Sequence, residues 1–248
     1  MIRKPTHGQI RNIMETVEGW RGEVAAEGLA FANPDPYEAT LFLLTEVGEA
    51  VDALIRSYSG TAYTRASGNP KRAHLYDELL DVAFMAASVV GERRPTSGQM
   101  TCALNAAFRA HPLPGGIRAT AGARRLYEEM RIQEHELRYL VSTRLTAFAA
   151  QACAEAEGLQ VLDREMPLKY EAAIRVGAVT ERLVFLVTCV IVVAYAAAAL
   201  HLGQTVRLDS YESARPEWFA EDLRYRLDER REKVIRRVGK IGGEKRDG

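Results

Sequence analysis

The run Leu183 to Leu200, LVFLVTCVIVVAYAAAAL, constrains the fold more than any other stretch, because its eighteen residues include no charged side chain. A helix formed here is apolar all round, so it needs apolar surroundings on every side. A lipid bilayer or the middle of a helical bundle would supply them. Several features favour the bundle. The run only just reaches spanning length, its second half is mostly alanine, the charged pair Glu181-Arg182 lies directly before it, no cluster of basic residues flanks it, and the chain has no second span. The expectation is a buried central helix and no membrane partner.

A central helix needs neighbours, and the remaining sequence reads as helices. Ile10, Ile13, Met14, Val17, Trp20 and Val24 form one apolar stripe over Gln9 to Gly28. LAFANPDP carries turn residues, a second helix is expected over 36–58, and SGTAYTRASGNP reads as a loop. A third helix is expected over 71–93, a short one from the Pro95–Gly98 break to about residue 110, and HPLPGG is the best linker. Further helices are expected over about 118–136, 137–157, 167–202 and 217–239, and no segment reads as a strand. The fold class is therefore all-α, a helical bundle divided as 1–111, 112–210 and a charged C-terminal helix and tail, 211–248.

Chemistry enters with four acidic residues, Glu46-x-x-Glu49 and Glu78-x-x-Asp81, each pair three apart inside an apolar-periodic helix. That spacing puts two carboxylates on one face of each helix. On the second helix Tyr37, Leu41, Leu44, Gly48, Val51, Ile55 and Tyr58 are expected to face the core; on the third, Leu75, Leu79, Val82, Ala86 and Val89. The carboxylates sit at the edge of these stripes. Four converging like charges repel unless a hard cation holds them, and oxygen-only ligands suit Mg²⁺, with Mn²⁺ as a substitute. The plainer alternative is solvated helix-face charge.

Residues 37–92, with LLTEVGEAVDAL and ELLDVAF and 28 residues between Glu49 and Glu78, resemble the core of MazG-like nucleoside triphosphate pyrophosphohydrolases. The resemblance covers about the first 95 residues. It implies a bundle of the all-α NTP pyrophosphatase type, with Glu46, Glu49, Glu78 and Asp81 as metal ligands and catalytic residues. It also implies hydrolysis of a (deoxy)nucleoside triphosphate to monophosphate and pyrophosphate, with Glu49 or Glu46 as general base. A phosphoribosyl-ATP-type pyrophosphohydrolase, or a non-catalytic helical interaction protein, remains the alternative.

For the substrate, Lys71 and Arg72 at the start of the third helix, and Arg65 before it, could reach a triphosphate. Trp20, Phe31 and Asn33 are the candidates for the base, although Trp20 also lies on a core stripe. Asp52 and His74 lie near the carboxylates in sequence, and each has an ordinary surface role available. Members of this superfamily pair subunits, so either a homo-oligomer or an intrachain pseudo-dimer is expected. With an offset of 103 residues, Glu78 falls on Glu181 while Glu46, Glu49 and Asp81 fall on Ala149, Ala152 and Val184, a degenerate second unit that has lost its ligand set.

The 33 basic and 33 acidic residues cancel, which gives no global electrostatic case for nucleic acid as a partner. Residues 226–240 are locally basic, seven against three, and read as a solvated terminal helix. No Walker-type glycine loop, nucleophile elbow or dinucleotide fingerprint occurs. Cys102, Cys153 and Cys189 are expected to be buried thiols in a reducing compartment. MIRKPTHGQIRN has no apolar signal region, so the expected location is cytoplasmic.

Overall fold

The computed structural model describes residues 5–27, 35–58, 72–91, 93–108, 135–165, 170–205 and 218–244, and among these every regular element is helical. In chain order they are α1 (His7–Ala26), α2 (Pro36–Tyr58), α3 (Arg72–Val90), α4 (Ser97–Ala107), α5 (Thr146–Glu165), α6 (Tyr170–Thr205) and α7 (Trp218–Glu244). A π-helical stretch, Leu140–Leu145, leads into α5. The HPLPGG linker and most of the expected 118–136 helix lie outside the described residues.

Two helices start with the same device. Thr6 and Thr96 each accept a hydrogen bond at Oγ from the backbone N–H three residues on, and Gln9 and Gln99 each accept one at Oε1 from the cap residue's backbone N–H. Both exchanges satisfy amides that a helix start leaves orphaned. Each glutamine then spends its side-chain amide on α6: Gln9 donates to the Tyr195 hydroxyl at 2.9 Å and Gln99 to the Glu181 carboxylate at 2.6 Å. The caps of α1 and α4 thus also fix where these helices meet α6. At the other end of α3, Gly91 takes φ +57°, a left-handed conformation that stops the helix without a Cβ penalty.

The neighbours of α6 follow from its composition. α2 packs on α3, α3 on α6, α6 on α5, and α5 back on α2, closing a four-membered ring; α4 and α1 cover more of α6. Residues 186–194 of α6 are all buried, and 89% of its most apolar window is enclosed by the bundle. It is one helix long and apolar enough to cross a membrane, and here its surroundings are protein. One continuous core joins α1 to α7 across all three segments of the chain. From the residues before α5 into its first turn, Leu137, Val141, Leu145 and Ala149 are buried at steps of four. Such a spacing drifts round an ordinary helix, and the wider π turn keeps it on one face.

The α3 stripe is as the periodicity predicts: Leu75, Leu79, Val82, Ala86 and Val89 are buried. The α2 stripe holds only in part: Tyr37, Leu44 and Val51 are half-buried against the core, Leu41, Gly48 and Ile55 are exposed, and the side chain of Tyr58 lies outside the described residues. Its buried line is Ala39, Leu43, Val47, Ala50 and Leu54, while Leu41 and Ile55 are 45% and 55% exposed. Leu41, Phe42, Leu43 and Leu44 are all apolar, so local spacing admits more than one face, and packing on α3 and α5 selects between them. The 103-residue offset also fails: it lays buried Leu43 and Val47 on exposed Thr146 and Ala150, and one residue of slip turns a helix by about 100°. Of the cysteines only Cys189 is buried, and burial pushes its thiol up to about 12; Cys153 is half-buried and Cys102 exposed.

The revised face of α2 is directly testable. Leu43→Ala should destabilise the fold by about 2–5 kcal/mol, the usual cost of truncating a buried leucine. Leu41→Ala should cost less than about 1 kcal/mol. Denaturant melts of the two variants give the comparison, and the opposite ranking would restore the face expected from sequence.

Candidate metal centre

The seam between α2 and α3 carries the four carboxylates. Within each helix the spacing of three brings the pair to one face, and the packing of α2 on α3 brings the faces together. Ligand oxygens of Glu46, Glu49 and Glu78 all lie within 4.8 Å of one another. Glu46 and Glu78 are half-buried, and Glu49 is exposed at the edge.

Asp81 has a different environment. It is 2% exposed, and both of its oxygens are engaged by α7: Arg226 donates from Nε to Oδ1 at 3.2 Å and from Nη2 to Oδ2 at 2.8 Å. Arg230 adds a contact from Nη2 to Oδ2 at 2.5 Å. Arg230 also reaches Glu46 at 3.7 Å and lies over the Phe84 ring, while Arg226 lies 3.6 Å from Asp77. The sequence reading grouped four equivalent carboxylates, whereas the structure gives a cluster of three beside an arginine-bound fourth.

Among the described residues, charge in the cluster is incompletely neutralised. Burial, followed by the charges of Asp81, Glu49 and Glu46, pushes the Glu78 carboxyl up to about 7. Burial and Asp81 also raise Glu46, with Arg230 opposing. Among the described residues the centre consists of carboxylate oxygens with no sulfur or nitrogen donor, a set that fits a hard divalent cation.

α7 reaches this seam by an apolar anchor. Phe219, Ala220, Leu223 and Leu227 are buried, and Tyr76 donates to Asp222 at 2.5 Å while stacking on Trp218. On the other side of α7, Arg224 makes a bidentate pair with Glu23 at 3.0 and 2.6 Å, and Arg231 pairs with Glu27. The sequence reading of the terminal helix as solvated charge missed Arg226 and Arg230. The available signal was their spacing of four beside the apolar line Phe219, Leu223, Leu227.

The other candidates fare differently. Trp20 is 4% exposed and edge-on to Phe84 at 5.5 Å, a core side chain with no free face for a nucleobase. Its substrate role is therefore set aside. Asp52 pairs with Arg56 at 2.6 Å on the surface, away from the cluster's ligand set. Phe31, Asn33, Arg65 and Lys71 lie outside the described residues, as do the side chains of Arg72 and His74. No protein-family model matches the chain, and searches of curated proteins and of solved structures likewise find no match.

The raised carboxyls make stability depend on pH with a defined sign. A carboxyl ordinarily near 4.5 and raised to about 7 on folding binds more protons in the folded state between those values. Its contribution is complete below about 4.5 and is lost as pH rises through 7. With divalent cations chelated, thermal melts should therefore fall by a few degrees from pH 5 to pH 8. Glu78→Gln should flatten that slope, and an unchanged slope in the variant would place the titrating group elsewhere.

Proposed function

We propose that the protein is a Mg²⁺-dependent, MazG-like pyrophosphohydrolase that converts a (deoxy)nucleoside triphosphate to the monophosphate and pyrophosphate. The observation that supports this reading is the convergence of Glu46, Glu49 and Glu78 from two helices onto one point, with Asp81 one turn along α3. A bound divalent cation would withdraw charge from phosphate oxygens and acidify a water. In this reading half-buried Glu46 and Glu78 are the holding ligands, and Asp81 joins them when its guanidiniums move. Exposed Glu49 accepts the proton of the attacking water at a carboxylate oxygen, the general-base role.

A second reading has one observation in its favour. Both oxygens of Asp81 are occupied by Arg226 and Arg230, as they would be in a purely structural clasp between α3 and α7. A non-catalytic helical protein could use the acidic seam in that way. Catalysis separates the two.

Incubation with nucleoside triphosphates and Mg²⁺ should give monophosphate and pyrophosphate as the first products, read by phosphorus NMR. Glu49→Gln should lower the rate by about 100-fold or more, the range for loss of a general base, while melting no lower than wild type without metal. Orthophosphate with a nucleoside diphosphate, or full activity in the variant, would leave the structural clasp as the better account.

A further inference from the structure

The arginines of α7 occupy the side of the acidic seam where a cation would have to complete its ligand set. A carboxylate whose two oxygens already accept three guanidinium contacts has little left to offer a metal. A divalent ion entering beside Arg226 and Arg230 also meets two like charges. Yet the two arginines are not the whole attachment of α7. Phe219, Leu223 and Leu227 bury the apolar line of the helix, and Arg224 and Arg231 pair it to Glu23 and Glu27 on α1. With that apolar anchor in place, Arg226 and Arg230 can leave Asp81 once a cation takes over its buried charge.

Their destination follows from their chemistry. The two guanidiniums lie four residues apart on one helix, with side chains 25% and 35% exposed, so solvent already reaches them. Each presents a planar fork that matches the paired oxygens of a phosphate. Displaced from Asp81 by a cation, they need another anion, and a polyphosphate bound to that cation would supply one at the same place. Resting on the reading of Glu46, Glu49 and Glu78 as a metal centre, we propose that Arg226 and Arg230 couple the two ligands. They hold Asp81 when no cation is bound, oppose the free cation, and turn to the phosphates when cation and polyphosphate arrive together. The site then selects the metal–polyphosphate complex over the metal alone.

The distinguishing consequence is a pair of opposite shifts. In the full chain, Arg226→Gln with Arg230→Gln should bind Mn²⁺ alone about tenfold tighter, followed by loss of the free-ion paramagnetic resonance signal, because two repelling charges are gone and Asp81 is released. The same variant should bind magnesium tripolyphosphate about tenfold or more weakly by titration calorimetry, because two charge-assisted contacts are lost. A purely structural clasp would move both affinities in the same direction or neither. Either of those results, in a wild type that does bind Mn²⁺, overturns the coupling and leaves the metal centre standing. A wild type that binds neither Mn²⁺ nor magnesium tripolyphosphate overturns both. If the double variant does not fold by circular dichroism, Arg230→Gln alone should show the same opposite shifts at smaller size, and their absence there counts equally against the proposal.

Discussion

Everything in the bundle is arranged around α6, whose middle has no polar face to offer water. Enclosing such a helix requires neighbours on all sides, and α3, α5, α4 and α1 supply them. The second half of α6 helps, because Ala194, Ala196, Ala197 and Ala198 are buried and present little side chain to neighbouring backbones. α3 is drawn deep into this packing, with Val82, Ala83 and Ala86 fully buried, and α2 follows α3 as its partner in the ring. The seam between α2 and α3 thus lies where core gives way to solvent. That boundary explains the gradient along the acidic cluster, from exposed Glu49 through half-buried Glu46 and Glu78 to enclosed Asp81.

α7 is fastened across this boundary by charge on both sides of its apolar line. One side meets α1 through Arg224 and Arg231, and the other meets α3 through Arg226 and Arg230. The two sides differ in energetic weight. Pairs with Glu23 and Glu27 are partly solvated, and such pairs contribute about 0–1 kcal/mol each. Asp81 is enclosed, so removing its partners would leave an uncompensated buried charge, which costs several times more. The inner arginines are therefore replaceable only by something cationic.

How much of this was legible depended on whether local spacing had one solution. In α3 the five stripe residues are buried, but from Leu79 to Val90 so is every other residue except Phe84, because VAFMAASVV has almost no polar face and spacing alone does not show how far the helix sinks. α2 has four consecutive apolar residues from Leu41 to Leu44, and only tertiary packing decides that Leu43 goes inside and Leu41 outside. The all-round apolar character of Leu183 to Leu200 indicated burial, and its neighbours could not be named. The convergence of Glu46, Glu49 and Glu78 was visible as two spacings of three. The guanidiniums on Asp81 were not, because Arg226 lies 145 residues away along the chain and no periodicity links positions so far apart.

The sequence nevertheless contains a reason for the cluster to need an outside partner. Glutamates on helices are ordinarily relieved by a basic residue three or four positions away. Around Glu46 those positions hold Phe42, Leu43, Glu49 and Ala50, and around Glu49 they hold Thr45, Glu46, Asp52 and Ala53. Around Asp81 they hold Asp77, Glu78, Phe84 and Met85, and Glu78 has only His74 as a nitrogen-bearing neighbour at that spacing. In a chain with 33 lysines and arginines, none stands where it would neutralise these four within their own helices. The two arginines of α7 answer Asp81 and reach only the edge of Glu46. The remaining negative charge stays with Glu46, Glu49 and Glu78, the three whose oxygens converge, and compensation there requires either protons, as the raised carboxyls indicate, or a cation.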